Sequence, residues 1–107
     1  MDTSKLSNAT IKAAIDAWQK GDSKLWLSFF SVDVKLFDDG SPRDFKSFST
    51  QAIGHELFTS IDKVENNGLD VYGHFHSDQW GDFKTYFKFR INSQGKINRL
   101  DIGQASY

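Results

Sequence analysis

The sequence predicts an α+β fold: three N-terminal helices packed on a curved antiparallel sheet that ends in a four-strand meander, forming a cone-shaped roll. Apolar side chains alternate with polar ones over residues 69–104, between turn signals, which is typical of half-buried antiparallel strands. The first half of the chain instead spaces its apolar residues three and four apart, as one face of a helix does. A sheet with one dry face needs a covering layer, and these helices supply it.

Composition limits the classes of protein that the chain can represent. The 107 residues predict a single domain over 1–107, and the polar residues 1–6 are expected to be disordered. The absence of Cys excludes disulfides and thiolate metal sites, and a net charge of −1 argues against nucleic-acid or membrane-surface binding. The sequence has no leader-like apolar segment or membrane-length run, so the expected location is the cytoplasm.

Two helices are predicted before the first strand. Ser7 or Asn8 can cap the first one, Gly21 ends it, and Asp22 can cap a second helix over residues 23–30. The first helix should bury the face formed by Ile11, Ala14, Ile15 and Trp18. The second should direct inward its apolar residues Leu25, Trp26, Phe29 and Phe30. The pair forms a helical hairpin.

A strand over residues 34–37 is predicted next, closed by the turn residues Asp38, Asp39 and Gly40. Ser41 followed by Pro42 resembles a helix start, so a third helix is expected from there to about Ile53. Its buried side should be formed by Phe45, Phe48 and Ala52.

The remaining strands form the meander. Residues 56–65 have apolar side chains on both parities, so their facing stays undecided, and Asn67-Gly68 is a strong hairpin turn. In the next hairpin, Phe75 is placed opposite Phe83 on the dry face, with a loop at residues 78–80. This register sets the wet-face pairs Asp70–Lys88, Tyr72–Tyr86, His74–Lys84 and His76–Asp82. Gly81 is expected as a bulge glycine, and Gly73 marks a bend.

The element order, the acidic turn after the first strand, Gly21-Asp22 and Gly95-Lys96-Ile97 together resemble the nuclear transport factor 2-like superfamily, which includes ketosteroid isomerases and SnoaL-like polyketide cyclases. The resemblance implies a cystatin-like cone with a pocket between helices and sheet, often dimeric through the sheets. On that resemblance, the isomerases' general-base Asp falls on Asp38. Their two oxyanion-hole positions fall on Ala14 and Phe87, so steroid isomerase activity is not expected.

Asp38 is the catalytic candidate, as a general base. It shares strand parity with Val34 and Leu36, so it points to the rim of the pocket if those two residues face the core. Desolvation by neighbours such as Trp18, Trp26 or Phe37 would suit a carboxylate for proton abstraction. The alternative is a solvated turn without chemistry.

Other polar residues offer weaker candidates. His74 and His76 lie on the wet face, where a His76–Asp82 pair is favoured over a metal site, and His55 is expected in a loop. Asp62 points inward and can pair with Asp38 if the Asn67-Gly68 turn fixes its register. No metal site and no cofactor are expected.

The functional hypothesis is a small dimeric domain whose aromatic pocket binds a compact apolar small molecule. The expected pocket lining is Trp18, Trp26, Phe29, Asp38, Phe75, Phe87 and Phe89. The expected dimer contact is the outer sheet face with Tyr72, His74, Tyr86 and Lys88. One alternative is an isomerase, cyclase or dehydratase that uses Asp38 as its base. The other is a protein-interaction module that acts through the outer face and has no internal cavity.

Overall fold

The computed structural model describes all residues from Met1 to Tyr107. Three helices and six strands follow one another as α1 (Ala9–Lys20), α2 (Ser23–Ser28), β1 (Phe30–Asp38), β2 (Ser41–Arg43), α3 (Phe45–Ala52), β3 (Glu56–Glu65), β4 (Asp70–Ser77), β5 (Gly81–Ile91) and β6 (Ile97–Gln104). The helices pack on one face of the sheet, so the predicted α+β architecture is confirmed.

The sheet is mixed, which corrects the expectation of a purely antiparallel one. Its strand order is β2-β1-β6-β5-β4-β3, and β3 to β6 form the predicted four-strand meander. Strand β1 pairs in parallel with β6, with Leu36 opposite Leu100 and Asp38 opposite Ile102. This pairing joins the first strand of the chain to the last, and no local pattern encodes a contact at such a sequence separation.

Helix α1 has the predicted boundaries. The Asn8 side chain accepts a hydrogen bond from the backbone N–H of Ile11, and Gly21 adopts the left-handed conformation (φ 73°) that ends the helix. The predicted inner face, Ile11, Ala14, Ile15 and Trp18, has no exposed surface. Leu6, which precedes the helix, also packs in the core, at 6% exposure.

Helix α2 is shorter than predicted. Asp22 caps it through the N–H of Leu25, but the helix ends at Ser28 and Phe30 already belongs to β1. Trp26 and Phe30 are buried as expected, whereas Leu25 faces solvent at 44% exposure. A helix of six residues makes fewer than two turns, so it presents only a narrow inner face.

Helix α3 begins later than predicted because residues 41–43 form an edge strand. The turn at Asp39 (φ 49°) and Gly40 (φ 84°) folds the chain back, so that Pro42 pairs opposite Phe37. Pro42 is tolerated there because an edge strand leaves one row of N–H groups unpaired. Asp44 then caps α3 by accepting from the N–H of Ser47 at 2.8 Å.

The geometry of strand β3 explains why the sequence does not show which of its side chains face the core. Irregularities occur between Phe58 and Ser60 and between Ile61 and Lys63, and each shifts the register against β4. An extra residue reverses the facing of everything after it. Phe58 and Ile61 are therefore both buried although they are three residues apart, and Val64, a further three along, packs against the same core.

The β4–β5 hairpin has the predicted register throughout. Phe75 lies opposite Phe83, and the four wet-face pairs are those expected. Gly81 has a φ of 80°, and residues 78–80 form the loop. The dry face of this hairpin, Phe75 and Phe87, packs against Trp18 of α1. The core therefore lies between the helical hairpin and the middle of the meander.

Candidate ligand-binding site

A cavity of about 800 Å³, open to solvent, lies at the end of the sheet where β1 and β6 finish and the β4–β5 hairpin turns. Helix α3 forms its other wall. Seventeen residues line it: Asp38, Asp39, Arg43, Phe48, Gln51, Ala52, Glu56, Phe75, Gln79, Trp80, Asp82, Phe83, Thr85, Phe87, Ile102, Gly103 and Gln104. The site thus combines aromatic residues on its inner side with a polar rim.

The inner surface of the cavity is aromatic. Phe75 and Phe87 face it from neighbouring strands, with ring centroids 5.7 Å apart, and Phe48 faces it from α3. All three rings pack on Trp18, which is fully buried behind them. Side chains fixed in this way by packing form a preorganised surface for an apolar group.

Asp38 lies at the rim, as the strand parity predicts. One of its carboxylate oxygens accepts a hydrogen bond from the Arg43 guanidinium at 2.8 Å, and its side chain is 36% exposed. Trp18 and Trp26, two of the neighbours expected to desolvate it, are buried in the core and do not line the cavity. Arg43 also lies 5.0 Å from the centroid of the Phe48 ring.

Three further acidic residues line the cavity from other elements. The carboxylates of two of them turn to the outer face of the sheet, where that of Asp82 contacts His76 and that of Asp39 lies close to Tyr86. Asp39 follows Asp38 in the β1–β2 turn, Glu56 begins β3, and Asp82 lies at the start of β5. One oxygen of Glu56 accepts a hydrogen bond from the Ser77 hydroxyl at 3.0 Å. These residues are far apart in sequence, and only the sheet topology brings them to one edge.

The cavity brings together three of the seven residues of the expected lining. Asp38, Phe75 and Phe87 line the cavity, whereas four do not: Trp18, Trp26, Phe29 and Phe89. Trp18, Trp26 and Phe89 have at most 1% exposure and fill the interior instead. Strand and helix periodicity predicts which side of an element faces inward, but it does not distinguish the packed centre of the core from its open end.

Several lining residues were not predicted. Arg43 lies at the rim because residues 41–43 form an edge strand, Glu56 because it begins β3, and Gln79 because it lies in the β4–β5 loop. The β4–β5 register predicted from the sequence already implied that Thr85 lies on the same face as Phe83 and Phe87. That parity was the one usable signal.

The two core tryptophans differ in how their indole N–H groups are satisfied. Trp26 donates to the hydroxyl of buried Ser49 at 2.9 Å. Trp18 packs edge-on against Trp26, at 5.0 Å between ring centroids, yet its own N–H has no acceptor. A buried donor without a partner is uncommon in folded proteins.

The outer face of the sheet carries a separate polar cluster. Asp62 accepts hydrogen bonds from Ser60 and Tyr107 and contacts the His74 imidazole at 2.6 Å. Asp62 therefore does not point inward to pair with Asp38 as expected. The irregularity of β3 after Ile61 turns the Asp62 side chain to the outer face. The bond from Tyr107, then that from Ser60, lowers the pKa of Asp62. Burial and then the bond to Asp62 raise the pKa of Tyr107.

The histidines occupy exposed positions. His76 contacts Asp82 at 2.6 Å, the pair favoured from the sequence, and Asp78 at 3.2 Å. Its bonds to Asp82 first and Asp78 second raise its pKa. His55 contacts the other oxygen of Asp78 at 3.3 Å from a turn, as expected of a loop residue. No group of three His, Asp or Glu side chains is arranged to hold a metal ion.

The fold has been observed in solved structures of distant sequence. A nuclear transport factor 2-like protein of unknown function from Cytophaga hutchinsonii superposes with a TM-score of 0.74 at 11% identity, over 98% of this chain and 95% of that one. A candidate polyketide cyclase from Xanthomonas campestris gives 0.66 at 18% identity, over 90% and 87% of the two chains. Other superposed structures are described as having a cystatin fold, and together these likenesses confirm the predicted nuclear transport factor 2-like, cystatin-like fold.

A third structure shares the fold with only one part of a longer protein. The canthaxanthin-binding orange carotenoid protein of Anabaena superposes with a TM-score of 0.74 at 16% identity, over 94% of this chain but 36% of that one. No family sequence model matches this chain, and no curated protein sequence does. None of the three helices has the length and apolar character needed to cross a lipid bilayer.

Proposed function

We propose that this domain binds a compact small molecule whose apolar part packs on Phe48, Phe75 and Phe87 inside the cavity. The observation that carries the proposal is the cavity itself, about 800 Å³ with an aromatic inner surface. Ligand sites in proteins typically enclose about 300–1,000 Å³ and combine apolar walls with a few polar groups. Both properties are present at this one end of the sheet.

The comparisons support a small-molecule site in this fold. The Anabaena protein is described with bound canthaxanthin, and the Xanthomonas protein as a candidate cyclase of polyketides. Canthaxanthin, a carotenoid, is largely apolar. The proposal for this chain is narrower, because Trp18, Trp26 and Phe89 fill the deep interior and leave space only toward the rim.

A neutral aromatic probe, benzyl alcohol, tests the proposal through a matched pair of variants. Phe83 and Phe37 are both half-buried, but Phe83 lines the cavity and Phe37 lies under Arg99 on the outer face. Phe83→Ala removes apolar contact area and is expected to raise the dissociation constant about three- to tenfold. Phe37→Ala is expected to leave it unchanged.

The measurement is an NMR titration of wild type and both variants, with circular dichroism confirming that each is folded. Equal weakening in both variants would indicate a general loss of structure. If benzyl alcohol binds and Phe83→Ala does not change its dissociation constant, the probe binds outside this cavity and the proposal is contradicted.

Catalysis by Asp38 ranks second to binding. A base that abstracts a proton next to a carbonyl needs a donor that stabilises the resulting oxyanion. Arg43 is the only cation in the lining, and it is already hydrogen-bonded to Asp38 itself. The cavity therefore supports a role for Asp38 in binding more directly than a role as the base.

We further propose that the domain forms a homodimer through the outer sheet face. Tyr72, Tyr86 and Lys88 are half-buried there, and Lys88 lies 5.2 Å from the Tyr86 ring centroid. Aromatic residues are enriched at protein interfaces.

Tyr86→Glu places a charge on this face and is expected to convert the dimer to a monomer. Sedimentation equilibrium measures the change. Val32→Glu adds the same charge at an exposed site on β1 and serves as the control. A wild-type monomer would refute the dimer.

A further inference from the structure

We propose that the outer face of the sheet carries a second binding site, for a small phosphorylated molecule, centred on Arg99 and flanked by Lys35 and Arg90. The site lies on the face opposite the cavity, so the inference does not depend on the ligand proposed there. It is carried by the strand register, which places three cationic side chains in one row.

The cationic row spans three neighbouring strands. Lys35 of β1 lies opposite Arg99 of β6, and Arg99 in turn lies opposite Arg90 of β5. Residues directly opposite one another point to the same side of a sheet. That side is the outer one, because the adjacent residues Leu36 and Phe89 are buried in the core.

The row is unfavourable for folding, because like charges directly opposite one another destabilise a sheet. Only Arg99 has a carboxylate partner: its Nε and Nη2 donate to the two oxygens of Asp101 at 2.8 and 3.0 Å. Lys35 and Arg90 are exposed and form no ion pair, and Asp33, two residues before Lys35, forms none either. Two uncompensated charges therefore flank a compensated one.

Neighbouring carboxylates do not remove this excess. Asp70 and Asp101 are the acidic residues of the adjoining surface, and both lie opposite Lys88, on the strands to either side of it. The three cations of the row and Lys88 thus make four positive charges against two negative ones. Glu65, opposite Asp70, lies 3.9 Å from the Lys63 ammonium group. The row keeps a local surplus of two positive charges.

A cleft of about 360 Å³ adjoins the row and gives a ligand a place to bind. Lys88, Arg90 and Arg99 line it. Gly40 of the β1–β2 turn and Asn66 of the β3–β4 turn also line it, so the surface is concave. This volume lies within the range of about 300–1,000 Å³ that is typical of small-molecule sites. A concave site of this size favours a small molecule over a membrane surface.

The chemistry of the row fits a phosphate group. A guanidinium presents a planar fork of N–H donors that matches phosphate oxygens, and a phosphate monoester carries up to two negative charges near neutral pH. Arg90 has all its N–H donors free, and Arg99 retains those of Nη1. Strands lie about 4.8 Å apart, so the row is about 10 Å wide, and its long side chains can converge on one or two phosphate groups.

Inorganic diphosphate and acetate are the probes for this site. We expect diphosphate to bind at least about tenfold more tightly than acetate at low salt, and its affinity to fall as sodium chloride is added. NMR titration of the Arg90 and Arg99 side-chain Nε–H signals measures the dissociation constants and the place of binding. Vesicles that contain phosphatidic acid present the same group on a flat surface, and we expect them not to bind.

Three variants with the same loss of charge locate the site. Lys35→Gln and Arg90→Gln are each expected to raise the diphosphate dissociation constant about three- to tenfold. Neither should lower the free energy of unfolding without diphosphate, because each removes a like-charge pair. Lys24→Gln, at an exposed position of α2, should leave the dissociation constant unaltered.

Several results would overturn the inference. Equal weakening by Lys24→Gln would show that diphosphate responds only to the overall charge of the protein. Binding to the vesicles without binding of free diphosphate would make the row a membrane contact. If Arg90→Gln alters the sedimentation equilibrium and leaves the diphosphate affinity unchanged, the row is a contact between two copies of the chain and not a phosphate site.

Discussion

Gly73→Ala is expected to lower the free energy of unfolding by about 3 kcal/mol or more, because the new methyl group would overlap backbone. Gly73 pairs with Ile61 between the two irregularities of β3, where that strand lies close against β4. A Cβ at Gly73 would collide with the carbonyl oxygen of Ser60 and approach the Phe58 ring to 3.1 Å. Neither strand can retreat without breaking the sheet pairing that buries Phe58.

Gly103→Ala is the matched control, to be compared by urea denaturation. A Cβ there would also meet atoms closely, but they are the carboxylate of Asp39 and the far end of Tyr86. Such side-chain ends can rotate away, so the loss should be near 1 kcal/mol. A Gly73→Ala protein as stable as Gly103→Ala would show that β3 does not approach β4 as described.

Trp26→Phe is expected to cost about 2–4 kcal/mol of unfolding free energy, and about 1–3 kcal/mol more than Trp18→Phe. Both residues are fully buried, and both changes remove the same volume. Trp26→Phe also leaves the hydroxyl of buried Ser49 without its indole donor. Trp18→Phe deletes an N–H that has no acceptor, which offsets part of the lost packing.

Chemical denaturation of the two variants side by side measures this difference. The double variant Trp26→Phe with Ser49→Ala removes both hydrogen-bonding partners and should recover part of the loss. Equal destabilisation by Trp18→Phe and Trp26→Phe would show that the Ser49 bond contributes nothing.

Local patterns were sufficient to predict the helices of the first hairpin and the β4–β5 register. The alternation around Phe75 and Phe83 admitted one register, because a shift by one residue would have exposed the entire dry face. The same argument failed for β3. Two irregularities place Phe58 and Ile61 on one side of the sheet despite their odd spacing. The alternation of polar and apolar residues does not show where such irregularities lie.

The sequence predicted less of the candidate site than of the fold. The inward facing of Asp38 followed from its parity with Leu36, but its partner Arg43 depended on an edge strand that resembled a helix start. The cavity lining joins Asp38, Glu56 and Thr85 from three separate strands. Such a convergence is a property of strand order, and the parallel β1–β6 pairing that positions Asp38 leaves no local signal.

Intermolecular nuclear Overhauser effects test most directly whether a small molecule occupies the cavity. With benzyl alcohol bound, we expect contacts from the probe's ring protons to the Phe75 and Phe87 rings and to the Thr85 methyl group. Contacts confined to the outer-face residues Tyr72 and Tyr86, or no contacts at any probe concentration, would contradict binding in the cavity.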